Sequence, residues 1–393
     1  MSSRRRFLQF TGTILGSILA NSFFMRMEAM AFFPAKGRGR RNNVPWGGGR
    51  CGANFTLLLR PDGLVFAAGE NQHGQLGDNS INDKSAFTQA LGISKITAVA
   101  GGYTHALALR SDGFVFACGA NASGQLGVNS VINRSTFVQA LGISNAVAIA
   151  AGHNHSVALR SDGLIFSSGN NSKGQLGDNT IVGKSTFVQA FGISNVVAVA
   201  CGYFHTIALR ADGFIFACGL NASGQLGDNS LIDKSTFVQA LGVSDVISVA
   251  GAFTHGVALR SDGLVFAAGY NASGQLGDNT TLNKSVYVQA QGVSNAVAIA
   301  AGQDYTAALR SDGLVFATGY NSSGQLGDNT VGAKSTYVQA QGISNAVAIA
   351  GGYSHTVALR SDNRFFACGY NLRGQLGDHS ILQRSKFKPV VGP

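Results

Sequence analysis

The chain is 393 residues long, 45% hydrophobic and 12% charged, with 29 basic against 19 acidic side chains and a formal charge of +10. Such a balance usually points to nucleic acid, yet residues 1–50 hold nine Arg and Lys against the single acid Glu28, a net of +8 that leaves +2 for the rest. The basicity sits in a leader, so nucleic acid is not an expected partner of the folded part.

In chain order, Ser3-Arg4-Arg5-Arg6-Phe7-Leu8-Gln9 is similar to a twin-arginine export signal. An uncharged stretch from Phe10 to Phe24 and the small-x-small triplet Ala29-Met30-Ala31 follow, so residues 1–31 read as a cleaved signal peptide. About 15 apolar residues fall short of the roughly 17 to 25 that span a bilayer. No stable membrane anchor is expected, and the destination is periplasmic or extracellular. Residues 32–50 read as a Gly/Arg-rich linker that could contribute a closing strand, and they include Trp46, the only tryptophan.

From Cys51 to the C-terminus the chain repeats every 50 residues, seven times, without insertion or deletion. The block Gly101-Gly102-Tyr103-Thr104-His105 returns from residues 151, 201, 251, 301 and 351, and in weaker form from 51. A period of that size marks units that bury their apolar faces against one another. In the third repeat, strands are expected at Ala146 to Ala150, His155 to Arg160, Leu164 to Ser168 and Thr186 to Ala190. Asp162-Gly163 between the second and third marks a hairpin whose two central residues take positive φ, and Asp362-Asn363 preserves it in the seventh. The fold class is all-β, a seven-bladed β-propeller of four-stranded 50-residue repeats in a single domain, residues 51–393.

Gly-Gln-Leu-Gly stands between strands three and four of every copy, from 74–77 to 374–377. Its glycines suggest unusual backbone angles or close approach to the next blade, its Leu a plug between blades, and its Gln a bond to loop backbone. Closure is the weak point. Where other copies carry a first strand like Ala146-Val147-Ala148, the first carries Gly47-Gly48-Gly49, so blade 1 is expected to be three-stranded or loosely sealed.

The motifs G-x-x-H-[ST]-x-A-L, D-G-x-[VI]-F-A-x-G-x-N and G-Q-L-G resemble the repeat of the regulator of chromosome condensation family, over residues 51–393. The resemblance implies a seven-bladed propeller, and the leader suggests a bacterial secreted type. It does not choose among the family's nuclear guanine-nucleotide exchange, plant photoreception and secreted binding roles. Exchange in that family works through an inserted wedge, and photoreception through clustered tryptophans. Neither feature is in these repeats.

Repeated polar positions read first as structure. His105, His155, His205, His255 and His355 share a phase with Phe55 and Tyr305, so a packed flat ring explains them better than metal ligation. Asp78 and its equivalents, with Val128 in blade 2, suit an Asx-type turn better than calcium. Cys118, Cys218 and Cys368 alternate with small residues, as do Cys51 and Cys201, so buried free thiols are expected. No metal or cofactor is expected.

Positions that vary carry the functional expectation. Antiparallel order puts two loops of each blade on one face, one with Tyr103, Tyr203, Phe204, Phe253 and Tyr353, the other with Tyr270, Tyr320 and Tyr370. Aromatics with a polar end on a rigid rim are typical interface residues. The expected function is therefore a non-catalytic, monomeric scaffold that binds a protein or other macromolecule. One alternative is a hydrolase or lyase using Glu70, His73 and His379, which break the symmetry. The other, guanine-nucleotide exchange, is disfavoured by the leader and the missing wedge.

Overall fold

The computed structural model describes residues 48–390, which form seven four-stranded antiparallel sheets, each made of consecutive strands. Blade 1 is β1 (Gly48–Cys51), β2 (Phe55–Leu59), β3 (Val65–Gly69) and β4 (Lys84–Gln89). The other blades repeat this order at 50-residue steps, and blade 3 has strands at 146–151, 155–160, 165–169 and 184–189. The second and third strands of blade 3 are buried on both faces except at Arg160, as mid-sheet strands between neighbouring blades must be.

The turn between strands two and three departs from expectation. Gly163 alone has positive φ, 79°, and its N–H donates to the Arg160 carbonyl while Arg160 N–H donates to Leu164. This is a three-residue connection ending in a glycine bulge, rather than a turn with two left-handed residues. Asp162 takes the Leu164 N–H at 3.3 Å and the Arg160 Nε at 3.0 Å, and Arg160 stacks over Phe166 at 4.6 Å. Asn363, φ 65°, takes the glycine's place in blade 7.

Gly-Gln-Leu-Gly does what its composition suggests. Gly224 and Gly227 have φ of 81° and 73°, and a Cβ on Gly224 would lie 2.6 Å from Ser285 Cα in the next blade. Leu226 is fully buried, and Gln225 Oε1 accepts the Ser223 N–H at 2.9 Å.

Blade 1 is four-stranded and sealed: the end of the linker supplies the closing strand, and the three-stranded or loosely sealed blade does not occur. Gly48, Gly49, Arg50 and Cys51 pair with Leu59, Leu58, Leu57 and Thr56. Pairing needs only backbone N–H and C=O, which glycine supplies as well as any residue. The seam to blade 7 is closed by the same kinds of bond that join other blades. Tyr353 N–H donates to Ala53 O at 3.1 Å, Thr56 Oγ1 to Gln375 O at 2.7 Å, and Arg373 pairs with Asp83 at 3.2 Å.

The histidine phase is where blades lock together. His105 Nε2 lies 3.0 Å from Ser156 Oγ, His155 3.1 Å from Thr206, His255 2.9 Å from Thr306 and His355 3.0 Å from Thr56. All four of those hydroxyls donate onward to a glutamine carbonyl of the preceding blade, as Ser156 does to Gln125 O at 2.6 Å. Where the ring is apolar, at Phe55, its partner position is Ala106. Cys118, Cys201, Cys218 and Cys368 are free thiols, and burial pushes those of Cys118 and Cys218 well up.

One seam breaks the pairing. His205 faces Gly256, its Nε2 is left without a hydroxyl partner, and Tyr287 Oη, also unbonded, stands 2.5 Å from where a Gly256 Cβ would sit. Gly256→Thr with Tyr287→Phe, the residue at the equivalent Phe187 and Phe237, should restore two hydrogen bonds and add about 1–2 kcal/mol of stability. Gly256→Thr alone should destabilise, because Tyr287 occupies the space. Urea denaturation of both variants checks this, and a double variant less stable than the parent would refute the pairing rule.

Candidate functional site

Strand order places the β1–β2 and β3–β4 loops of every blade on one side of the wheel. The first of these loops ring the axis, where backbone bonds run from blade to blade: Ala53 N–H to Gly102 O, Tyr103 to Gly152, His153 to Tyr203, Tyr203 to Phe253, Gln303 to Tyr353 and Tyr353 to Ala53. The chain position that varies most therefore sits on a rigid collar.

Side chains from that collar converge over the axis. Ring centroids of Tyr103 and His153 are 4.3 Å apart, His153 and Tyr203 3.8 Å, and Tyr203 and Phe253 3.8 Å. Tyr353 closes the group edge-on, 5.9 Å from Tyr103 and 6.0 Å from Phe253, and Phe204 stands at 4.5 Å from Tyr203. All six are half-buried. Desolvation within the cluster lowers His153 to about 4 and raises Tyr353 to about 12, so both are neutral at pH 7. The group offers ring faces, hydroxyls and one neutral imidazole, without charge. The opening beneath it is about 120 Å³ and lined largely by Gly and Ala, small against the roughly 300–1,000 Å³ of small-molecule sites.

The two tyrosine-bearing loops thus differ. Tyr103, Tyr203, Phe204, Phe253 and Tyr353 come together. Tyr270, Tyr320 and Tyr370 make no ring contact with them among the described residues; Tyr320 is exposed, and the other two are half-buried on blades 5 and 7. Sequence reasoning left His153 out of the site, although it occupies the same phase as Tyr103. It also missed the hydroxyl partner of four of the five seam histidines, a signal present in the column Thr56, Ala106, Ser156, Thr206.

The symmetry-breaking trio is not assembled into one site. Glu70 accepts from Asn54 Nδ2 at 3.0 Å, His73 Nδ1 lies 3.4 Å from Asn133 Nδ2, and exposed His379 bonds Ser85 through its backbone. No hydrogen bond or ion pair joins the three among the described residues. Asp78 and its equivalents make the expected Asx turn, with Ser80 N–H at 3.0 Å and Asn71 Nδ2 at 2.9 Å on the Asp78 carboxylate.

Comparison with known proteins agrees with this architecture. The RCC1-like domain model matches residues 133–392, and models of the regulator of chromosome condensation (RCC1) repeat match residues 96–125 and 62–109. Human WBSCR16 is similar at 25% identity and TM-score 0.76, over 84% of this chain and 94% of its own. Prp20p from Saccharomyces cerevisiae aligns at 20% identity and TM-score 0.77, over 93% and 88%. Yeast RCC1 (Prp20) bound to Kap60 aligns at 20% and 0.74, over 91% and 90%. No curated protein matches the chain.

These relatives correct the reading of the leader. The secreted bacterial type, with a signal peptide and a periplasmic or extracellular destination, does not stand, because the Prp20 structures belong to nuclear and cytoplasmic proteins. The physical reason is that a short Arg run such as Arg4-Arg5-Arg6 serves more than one kind of address. The leader itself lies outside the described residues. With one family model covering well over half of its length and all seven blades built to that plan, the chain belongs to the RCC1-like family.

Proposed function

We propose that this propeller is a non-catalytic protein-binding module whose partner docks on the aromatic mouth of the axis. The observation that carries the reading is the convergence of Tyr103, His153, Tyr203, Phe253 and Tyr353, drawn from five blades, at the position where the repeats differ. Half-buried aromatic rings on a hydrogen-bonded collar lose little side-chain entropy on binding, the property that concentrates interface energy in Tyr and its neighbours. Tyr103→Ala with Tyr353→Ala should weaken the partner at least tenfold and leave the fold intact. Quantitative affinity capture with wild type, this pair, and Tyr270→Ala/Tyr320→Ala/Tyr370→Ala checks it. Binding that survives the mouth variant but fails in the triple variant moves the site to the outer loops.

A second reading is nucleotide exchange on a small GTPase. The comparisons favour it more directly than they favour any particular surface, since Prp20p was characterised for binding to Gsp1p and histones. The leader no longer counts against it. The uniform 50-residue spacing still does, because no blade carries an inserted wedge. Release of fluorescent GDP from Gsp1p decides: acceleration by the full chain establishes exchange, and binding without acceleration leaves the docking module.

A further inference from the structure

One element repeated around the wheel is broken in a single blade. At the entry to the fourth strand, six blades pair an acid with a base: Asp78 with Lys84, Asp178 with Lys184, Asp228 with Lys234 and Asp328 with Lys334 at 3.6 Å, Asp278 with Lys284 at 3.4 Å, and Asp378 with Arg384 at 3.0 Å. Blade 2 keeps the base, Arg134, and replaces the acid with Val128. Arg134 Nε is buried without a hydrogen-bond partner, and its guanidinium takes part in no ion pair among the described residues. Arg384 also has an unbonded Nε, but its Nη2 reaches Asp378, so the missing acid is what sets Arg134 apart.

The surroundings hold this cation ready. Asn133 accepts the Asn121 N–H at 2.9 Å and its amide lies 3.4 Å from His73 Nδ1 on blade 1. Asn121, which has no Asp to donate to, keeps the bonds to the Ser130 and Ile132 carbonyls, at 2.8 and 3.1 Å, that its counterparts also make. Beside them, Val131 and Ile132 project into solvent, 60% and 65% exposed. A half-buried guanidinium without a counter-ion gains from an incoming carboxylate what its six counterparts gain internally.

We infer that Arg134 is a receptor for the carboxylate of an acidic peptide segment, with Val131 and Ile132 meeting the apolar residues beside it. Free phosphate could supply the same oxyanion chemistry but would leave those two side chains unused. The site lies at the outer edge of blade 2 and does not rest on the aromatic mouth.

Val128→Asp is the informative variant, because it installs the acid of the other six blades where Asn121 and Ser130 already stand as its partners. Anisotropy of a labelled peptide of four glutamates and two leucines, titrated with the full chain at low salt, should show binding by wild type. Val128→Asp and Arg134→Gln should each weaken it about tenfold, the scale of one charge-assisted hydrogen bond. Tyr103→Ala/Tyr353→Ala should leave it unchanged, which separates this site from the mouth. Equal binding by wild type and Val128→Asp, or none by wild type, overturns the inference. Displacement of the peptide by equimolar inorganic phosphate overturns the peptide assignment in favour of a free oxyanion. Should Val128→Asp fold poorly in a thermal melt, Arg134→Gln decides alone.

Discussion

Acidification from pH 7 to 4 should unfold this propeller in one steep transition that takes up several protons. His105, His155, His255 and His355 are held near 3 and His205 near 4, below the usual 6.5, chiefly because burial disfavours the charged imidazole. Between those values and 6.5 the unfolded chain binds protons that the folded one refuses. Stability is therefore complete above about pH 6.5 and is lost as pH falls, by about 1.4 kcal/mol per pH unit for each histidine. Five together lose about 7 kcal/mol per unit, comparable to the roughly 5–15 kcal/mol that holds a typical domain. The hairpin carboxylates such as Asp162 are also depressed, but they are exposed and titrate lower, so they contribute less.

The wheel supplies its own control. Phe55 and Ala106 show the seam that results when both ring and partner are apolar, and His105→Phe with Ser156→Ala copies it. At pH 7 that variant should be nearly as stable as the parent, and below pH 6 its stability should fall with a slope smaller by one proton. Unfolding free energies from urea titrations at half-unit pH steps measure this directly. An unchanged slope would mean that the seam histidines are not what acid attacks.

The second large effect is expected at the Gly-Gln-Leu-Gly plug. Leu226→Ala should cost about 3 kcal/mol, within the roughly 2–5 kcal/mol seen for buried leucines. Leu226 belongs to a buried cluster that joins Ile207, Leu209 and Ile215 of its own blade to Val249, Phe266 and Tyr287 of the next, and its backbone is pinned by Asn221 Oδ1 at 3.0 Å. That pinning limits collapse into the space left behind. Ile232→Ala, six residues on at a solvent-facing loop tip, should change stability by less than about 0.5 kcal/mol. Similar losses from both would show that the loop does not carry the seam.

Legibility in the sequence followed distance along the chain. The four strands of a blade are separated by 3 to 14 residues, so alternation, a Gly bulge and a Gly-Gln-Leu-Gly loop announce them locally. The hairpin was misread in one detail, since Asp-Gly served a bulged connection, and turn type depends on strand twist rather than on the dipeptide alone. The poor packing that Gly48 and Gly49 offer in a strand suggested a three-stranded or loosely sealed blade, because it was judged by side-chain burial. Backbone pairing to Leu58 and Leu59 supplied the strand without side chains.

By itself, then, the sequence determined the repeat, the blade and the number of blades, since each is set by interactions within 50 residues and by a period that never slips. Which residues meet when the wheel closes depends on contacts between blades. Thr56 reaches His355 across 299 positions, and of two tyrosine-bearing loops on the same face one gathers over the axis while the other stays apart from it. The reason is geometric: a period fixes the angle between blades, whereas distance from the axis is fixed by how the loops pack against their neighbours.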